Sequence, residues 1–410
     1  MKETTLFDEK NIVLSFGVLS DIHIESGRDD DWSAYRYRKS VETAYRLSRA
    51  RRPDLFFYPG DLTQNTCYDP QSLHEIGDFK SLTDRYLDPE TALVFCTGNH
   101  DGNTHRSYDK EFTEVFTATA EDVARYYKYD VDMESVYSFS GNRHAVVGGY
   151  HFLSVGIYKD YISYLKPILD ELTAKDPLRP VFVAYHFPAA DTVYATHYMG
   201  AGNDTYENVA FHEDWSGFWD LRRLLDNYPQ VILFAGHTHC ALENPRAIWQ
   251  GTFTAIDTAS VQGLDDNSFI NFSHKIPVNA KHAEMFGAFE GLLAEVDASS
   301  NVRLTCYNAN RGDVVAVYTI PAPKADGSHL TVYANDRRDR SPATTFPVRD
   351  LQLEKTEAGD IHVTFTQAEH PDIVWYYTLR FFDGDRMVQA FDLTSRYFAT
   401  DGMPKRMNVV

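Results

Sequence analysis

Val231-Ile-Leu-Phe-Ala-Gly-His-Thr-His239 is the stretch on which the fold turns. Five apolar residues run without a polar break, as in a strand covered on both faces. The chain then passes through a glycine, which permits a tight turn, and presents two histidines one residue apart. Alternate side chains of an extended segment share a side, so His237 and His239 are expected to act together. Polar residues just past a buried strand sit where α/β sheets place their ligands.

Four earlier segments repeat the design. Ile12–Leu19 leads into Asp21-Ile22-His23, and Leu55–Tyr58 into Gly60-Asp61. Leu93–Cys96 leads into Gly98-Asn99-His100-Asp101, and Val181–Tyr185 into His186. Between them, Tyr35–Ala50, Tyr161–Leu172 and Trp215–Leu225 carry helix-spaced apolar residues, and Val146–Ile157 reads as paired strands around Gly148-Gly149. This alternation predicts α/β architecture.

After about residue 250 the pattern changes. Thr252–Ala259, Phe289–Val296, Val302–Tyr307 and Val314–Thr319 read as strands without intervening helices. Pro321-Ala-Pro-Lys-Ala-Asp-Gly327 reads as a linker. Beyond it, His329–Tyr333, Leu351–Lys355, Ile361–Thr366, Val374–Phe382 and Val388–Leu393 predict a small all-β sandwich. The expected division is an α/β domain over 1–320 and a β-sandwich-like region over 321–410, short for a complete sandwich.

Composition bounds the partners. With 410 residues, 43% hydrophobic and 24% charged, the chain can bury a full core in two or more domains. A net charge of −20 argues against coating nucleic acid or an anionic membrane. It stays compatible with a small phosphate substrate, because bound metal ions reverse the sign locally. Cys67, Cys96, Cys240 and Cys306 match neither a zinc-type spacing nor a disulfide framework, so a reducing compartment is the simplest reading. No apolar stretch approaches the ~18 residues of a membrane helix. Ile12–Leu19 follows Asp8 and Glu9 and reads as a strand, not a leader. The expected location is cytoplasmic, with an exported form whose signal has been removed as the alternative.

The residue types at the strand ends name a chemistry. Asp, Asn and His offer oxygen and imidazole donors and no thiolate. That set suits Mn, Fe or Zn, and suits two metals sharing a carboxylate.

The ordered pattern D-x-H, G-D, G-N-H-[DE], H and G-H-x-H resembles that of the calcineurin-like metallophosphoesterases, over about residues 12 to 320. The resemblance implies a four-layer fold, two central sheets flanked by helices, with a dinuclear metal centre at the strand ends. It implies Asp21, His23 and His239 on one metal, Asn99, His186 and His237 on the second, and Asp61 bridging both. His197 and His212 compete with His186, which the buried strand Val181–Tyr185 favours by running straight into it. The implied reaction is in-line attack on phosphorus by a metal-bridging hydroxide. His100 would protonate the leaving oxygen, with Asp101 or another carboxylate orienting its imidazole.

The GNHD and GHTH versions are similar to those of bacterial cyclic-nucleotide and glycerophosphodiester phosphodiesterases. Gln64 stands where purple acid phosphatases carry a tyrosine ligand, which disfavours that subclass. The stretch from about Pro347 resembles a fibronectin type III sandwich. The expected activity is therefore hydrolysis of a small phosphate ester, with diesters preferred. A phosphomonoesterase or nucleotide pyrophosphatase is the alternative within enzymes. A binding module with a structural metal centre is the alternative outside them, and His100 argues against it, since a structural site needs no proton donor. The aromatic segment Pro188–Trp219 lies between two metal motifs and should border the site, whether its rings stack on substrate or anchor the loop.

Overall fold

The structure, a computed structural model, describes residues 6–25, 32–50, 52–64, 73–101, 114–116, 118–126, 142–156, 161–193, 217–243, 246–263, 288–334, 344–369, 374, 376–394 and 406–409. Two six-stranded sheets form its centre. The first contains β1 (Ile12–Val18), β2 (Leu55–Tyr58), β3 (Ala92–Phe95), β10 (Glu290–Asp297), β11 (Val302–Asn308) and β12 (Asp313–Ile320), in the order β12-β11-β10-β1-β2-β3. The second contains β4 (Arg143–Val147), β5 (Tyr150–Val155), β6 (Val181–Tyr185), β7 (Val231–Ala235), β8 (Ile248–Gln250) and β9 (Thr254–Asp257), in the order β4-β5-β6-β7-β9-β8. Strands β1, β2 and β3 are parallel, as are β5, β6, β7 and β9. Antiparallel hairpins complete both sheets.

The apolar runs explain the layering. In β7, Ile232 and Phe234 join the core between the sheets, while Val231 and Leu233 join the outer core. In β6, Phe182 and Ala184 point inward, and Val181 and Val183 outward. Both faces of each strand are apolar because both are covered. Phe16 of β1 is the inward wedge, meeting Phe152, Phe182 and Phe234 edge-on at centroid distances of 5.1, 4.8 and 5.9 Å.

Helices cover the outer faces. On the first sheet, α1 (Trp32–Leu47) lies over β10 and β11, where Tyr307 donates from its hydroxyl to Ser40 O at 3.0 Å. Next to α1 stands α2 (His74–Tyr86), and α3 (Ala120–Tyr126) lies by β3. On the second sheet, Leu165 and Leu169 of α4 (Tyr161–Lys175) and Leu221 and Leu225 of α5 (Gly217–Leu225) fill the outer core. The chain thus has the four-layer α/β/β/α arrangement. Helix α1 stops at Leu47 because Arg49 N turns away to Glu295 Oε1 at 2.9 Å.

Two expectations are corrected. Thr252–Ala259 holds one strand, β9, shortened to Thr254–Asp257, with Thr252 and Phe253 in the turn from β8. His329–Tyr333 is not a strand at all. The Gln250 side-chain oxygen accepts from both Val332 N and Tyr333 N, at 3.1 and 3.2 Å, so no ladder forms. His329 is tied to Pro229 O at 3.1 Å, so the segment after β12 stays on the α/β unit.

Among the described C-terminal residues the regular elements are all β strands, as expected. β13 (Gln352–Lys355), β14 (Ile361–Thr366) and β17 (Arg406–Val409) form a three-stranded sheet, and β15 (Tyr376–Asp383) and β16 (Arg386–Thr394) a hairpin. Strand β17, Arg-Met-Asn-Val, is too short and mixed to show a period of two in the sequence. Val363, Phe365, Ala368, Tyr377 and Met407 make a small core of their own. Among the described residues, no helix is long and apolar enough to cross a membrane.

Candidate metal centre

The loops past the strand ends are stitched together by their backbones. Asp21 N donates to Gly60 O at 3.1 Å, Ile22 N to Asp61 O at 2.8 Å and Ile24 N to Leu62 O at 3.0 Å, so the loops after β1 and β2 run side by side. Gly236 N donates to His186 O at 3.0 Å and Gln262 N to Asp21 O at 2.8 Å, which draws in the loops after β6, β7 and β9. Chain from both sheets therefore closes on one point.

The backbone there is unusual. Asp21, His23, Asp61, His237 and His239 have φ values of 51°, 50°, 49°, 71° and 51°. Residues other than glycine rarely adopt this left-handed region, at a cost on the order of 1–3 kcal/mol each. The Asp-x-His and His-x-His segments, expected to be extended, thus leave the extended region at both named residues, and the paired side chains converge through two left-handed residues. Gly98 and Gly236 are demanded by close approach. A Cβ on Gly98 would collide with Asp61 Oδ1, and one on Gly236 with Ser20 Oγ and Asp21 Oδ2.

Three overlapping groups result, each with ligand-capable atoms within 4.8 Å of one another: Asp21, His23 and His239; His23, Asp61 and His100; and Asp61, His186 and His237. His239 Nε2 lies 3.1 Å from Asp21 Oδ1, and His23 Nε2 lies 3.7 Å from Asp61 Oδ2. His186 Nε2 lies 3.1 Å from Asp61 Oδ2 and 3.0 Å from Asn99 Oδ1. His186 is thus brought to the carboxylate of Asp61. His197, His212, Tyr194, Tyr198, Tyr206 and Trp215 lie outside the described residues.

The electrostatics suit a cation. Asp21 and Asp61 are fully buried, which alone would raise their pKa values. The imidazole of His239 outweighs burial at Asp21, and those of His186, His23 and His100 outweigh it at Asp61, so both stay ionised. Burial would lower His186, yet the charge of Asp61 pushes it up to about 9, so the centre draws positive charge to itself. His23 and His237 go the other way, to about 3, through burial and neighbouring imidazoles. Neutral imidazole is the form that binds metal. His23 Nδ1 is buried without a hydrogen-bond partner among the described residues. Two carboxylates, an amide oxygen and several imidazoles around one point fit a dinuclear metal centre.

The last two named residues divide. His100 stands beside the centre, its ring centroid 4.6 Å from that of His23 and its backbone N donating to Asp61 Oδ1 at 2.8 Å. Its Nδ1 meets Gln64 O at 2.7 Å, so a backbone carbonyl does the orienting expected of a carboxylate. Asp101 is corrected accordingly. Its buried carboxylate accepts from Gly98 N, Leu62 N, Thr63 N and Thr63 Oγ1, at 2.8 to 3.0 Å, and pins one ligand loop to the other. Backbone donors of the neighbouring loop claim it in place of the imidazole.

Sequence reasoning missed Ser20 and Asp257. Ser20 Oγ donates to Asp21 Oδ2, and Asp257 accepts from the Thr238 hydroxyl. Neither has a motif of its own; a polar residue beside or directly ending a buried strand was the available signal.

The fold and the site define a metal-dependent phosphoesterase. The sequence model of the calcineurin-like phosphoesterases matches residues 14–241, more than half of the chain, and the chain belongs to that family. Among solved structures it is similar to a dimetal phosphatase from Danio rerio, with 11% identity and a TM-score of 0.48, covering 76% of this chain and 100% of that one. It is also similar to the purple acid phosphatase PPD1 from yellow lupin (Lupinus luteus) seeds, with 14% identity and a TM-score of 0.48, covering 83% of this chain and 58% of that one. A comparison with curated protein sequences finds no match.

Proposed function

We propose that this protein hydrolyses small phosphodiesters at a centre of two metal ions drawn from Mn, Fe and Zn. Asp21, His23 and His239 would hold one ion, Asn99, His186 and His237 the other, and Asp61 would serve both. The observation that carries this reading is the place of Asp61 Oδ2, 3.1 Å from His186 Nε2 and 3.7 Å from His23 Nε2, within reach of both halves. When bound, such ions supply Lewis acidity, neutralise phosphoryl charge and acidify a coordinated water.

The chain's own residues do the rest. His100 would protonate the leaving oxygen. Its Nδ1 donates to Gln64 O at 2.7 Å, so the proton that comes and goes is the one on Nε2. Its backbone N on Asp61 Oδ1, at 2.8 Å, keeps the donor registered against the shared carboxylate. The preference for diesters rests on the likeness of Gly98-Asn99-His100-Asp101 and Gly236-His237-Thr238-His239 to the motifs of known phosphodiesterases.

The test is hydrolysis of bis(p-nitrophenyl) phosphate beside p-nitrophenyl phosphate, by metal-stripped protein reconstituted with Mn²⁺, Fe²⁺ or Zn²⁺. Faster metal-dependent cleavage of the diester is expected. Faster cleavage of the monoester would move the assignment to a phosphomonoesterase.

A further inference from the structure

Thr238 stands between His237 and His239, one from each half of the proposed centre. Both histidines hold left-handed backbone, with φ values of 71° and 51°. A turn with two such residues persists only when its surroundings over-determine it. Asp21 supplies one restraint, accepting from His237 N at 3.0 and 3.1 Å. Thr238 supplies three more. Its amide donates to Gly236 O at 2.8 Å, and its hydroxyl accepts from Cys240 N at 3.3 Å and donates to Asp257 Oδ2.

Asp257 ends β9, the neighbour of β7, and is fully buried. Its own position is fixed twice. Its backbone N donates to Ala247 O at 2.7 Å, and its Oδ1 accepts from Ala259 N at 3.0 Å. Rigid sheet thus holds the carboxylate, the carboxylate holds the Thr238 hydroxyl, and the hydroxyl sits at the midpoint of the two-histidine turn.

We infer that Asp257 is a positioning residue for both halves of the metal centre, acting through the Thr238 hydroxyl on His237 and His239 together. The inference rests on the ligand reading proposed above. A brace on one imidazole would tune one ion. This brace sits between one ligand of each group, His239 of the group with Asp21 and His23, and His237 of the group with Asp61 and His186. Losing it lets both left-handed residues relax, and both ions weaken at once. Outer partners of metal ligands typically contribute 10–100-fold in affinity.

The experiment titrates metal-stripped full-length protein with Zn²⁺ by calorimetry and counts bound ions by mass spectrometry. Thr238→Val keeps the shape and removes the hydroxyl; Thr238→Ser keeps the hydroxyl. Thr238→Val should bind both ions about 10–100-fold more weakly, with Thr238→Ser near wild type and both metal-free variants still folded. Wild-type affinity in Thr238→Val, weakening of one ion alone, or equal weakening in Thr238→Ser would overturn the inference. Should Thr238→Val not fold, Asp257→Ala decides instead. It removes both acceptor oxygens and leaves the Thr238 hydroxyl without its anchor on β9, so both ions should again weaken; wild-type affinity would overturn the inference. His239→Ala keeps the two readings apart. If it binds two ions normally, the ligand assignment fails; if it loses an ion while Thr238→Val binds normally, only the brace fails.

Discussion

His23 Nε2 and His239 Nε2 lie 3.3 Å apart, although 216 positions separate the two residues in the chain. One comes from the loop after β1 and the other from the loop after β7, so the two sheets meet at this pair. Two imidazole nitrogens held this close, beside the buried carboxylates of Asp21 and Asp61, form a cation's coordination sphere in advance of the cation.

Metal binding should therefore stabilise the protein, and each half should contribute. An ion at 100 times its Kd adds about 2.7 kcal/mol per site. Chelation should lower the melting midpoint of the wild type, and adding metal back should restore it. His239→Ala should hold one ion per chain instead of two and recover only part of the rise. Two ions bound at unchanged affinity would remove His239 from the ligand set.

His100→Ala should separate binding from chemistry. A general acid contributes roughly 10²–10⁴ in rate, so turnover should fall by that much while metal content stays at the wild-type value. The loss should be greatest for esters with alkyl leaving groups, which need the proton, and smallest for p-nitrophenolate, which does not. A uniform loss across leaving groups would show that His100 acts otherwise.

Phe16 should be among the costliest core positions. Its ring meets three aromatic residues of the facing sheet within 6 Å and is fully buried. Truncating a buried Phe to Ala typically costs 3–5 kcal/mol, so Phe16→Ala should shift the urea midpoint strongly downward. Val317→Ala, on a side chain that is 55% exposed, should barely move it.

Acid should weaken the β4–β5 hairpin. His144 Nε2 and His151 Nδ1 lie 2.8 Å apart, near Glu171 and Lys175 of α4 and Arg179 just beyond it. Burial, with His151 adding to it, lowers His144 from 6.5 to about 4. The unfolded chain therefore binds more protons between those pH values, and stability rises with pH across that window. This contribution is complete above about pH 6.5 and is lost as the pH falls toward 4. His144→Gln should flatten that part of a plot of urea midpoint against pH; an unchanged slope would assign it to other groups.

Much of this was readable in one dimension. Leu55–Tyr58, Leu93–Cys96, Val181–Tyr185 and Val231–Ala235 are apolar throughout, and Ile12–Leu19 nearly so, because helices and a facing sheet cover both sides. The residues just past those strands were readable for the same reason, since polar groups break an apolar run at a definite point. The same ground favours His186 over His197 and His212.

What lay beyond reach depends on contacts between distant loops. Asp101 follows His100 directly, yet its carboxylate serves Leu62, Thr63 and Gly98, while His100 leans on the carbonyl of Gln64. Asp257 ends a strand as several aspartates do, and only the adjacency of β9 and β7 puts it under Thr238. A buried strand is specified residue by residue through its apolarity. A hydrogen bond between two loops is specified by where the sheets bring them, and any Asp or any backbone carbonyl can fill it. Residue type and strand position follow from the local chain, and the partner of each buried polar group follows from the packing of the two sheets.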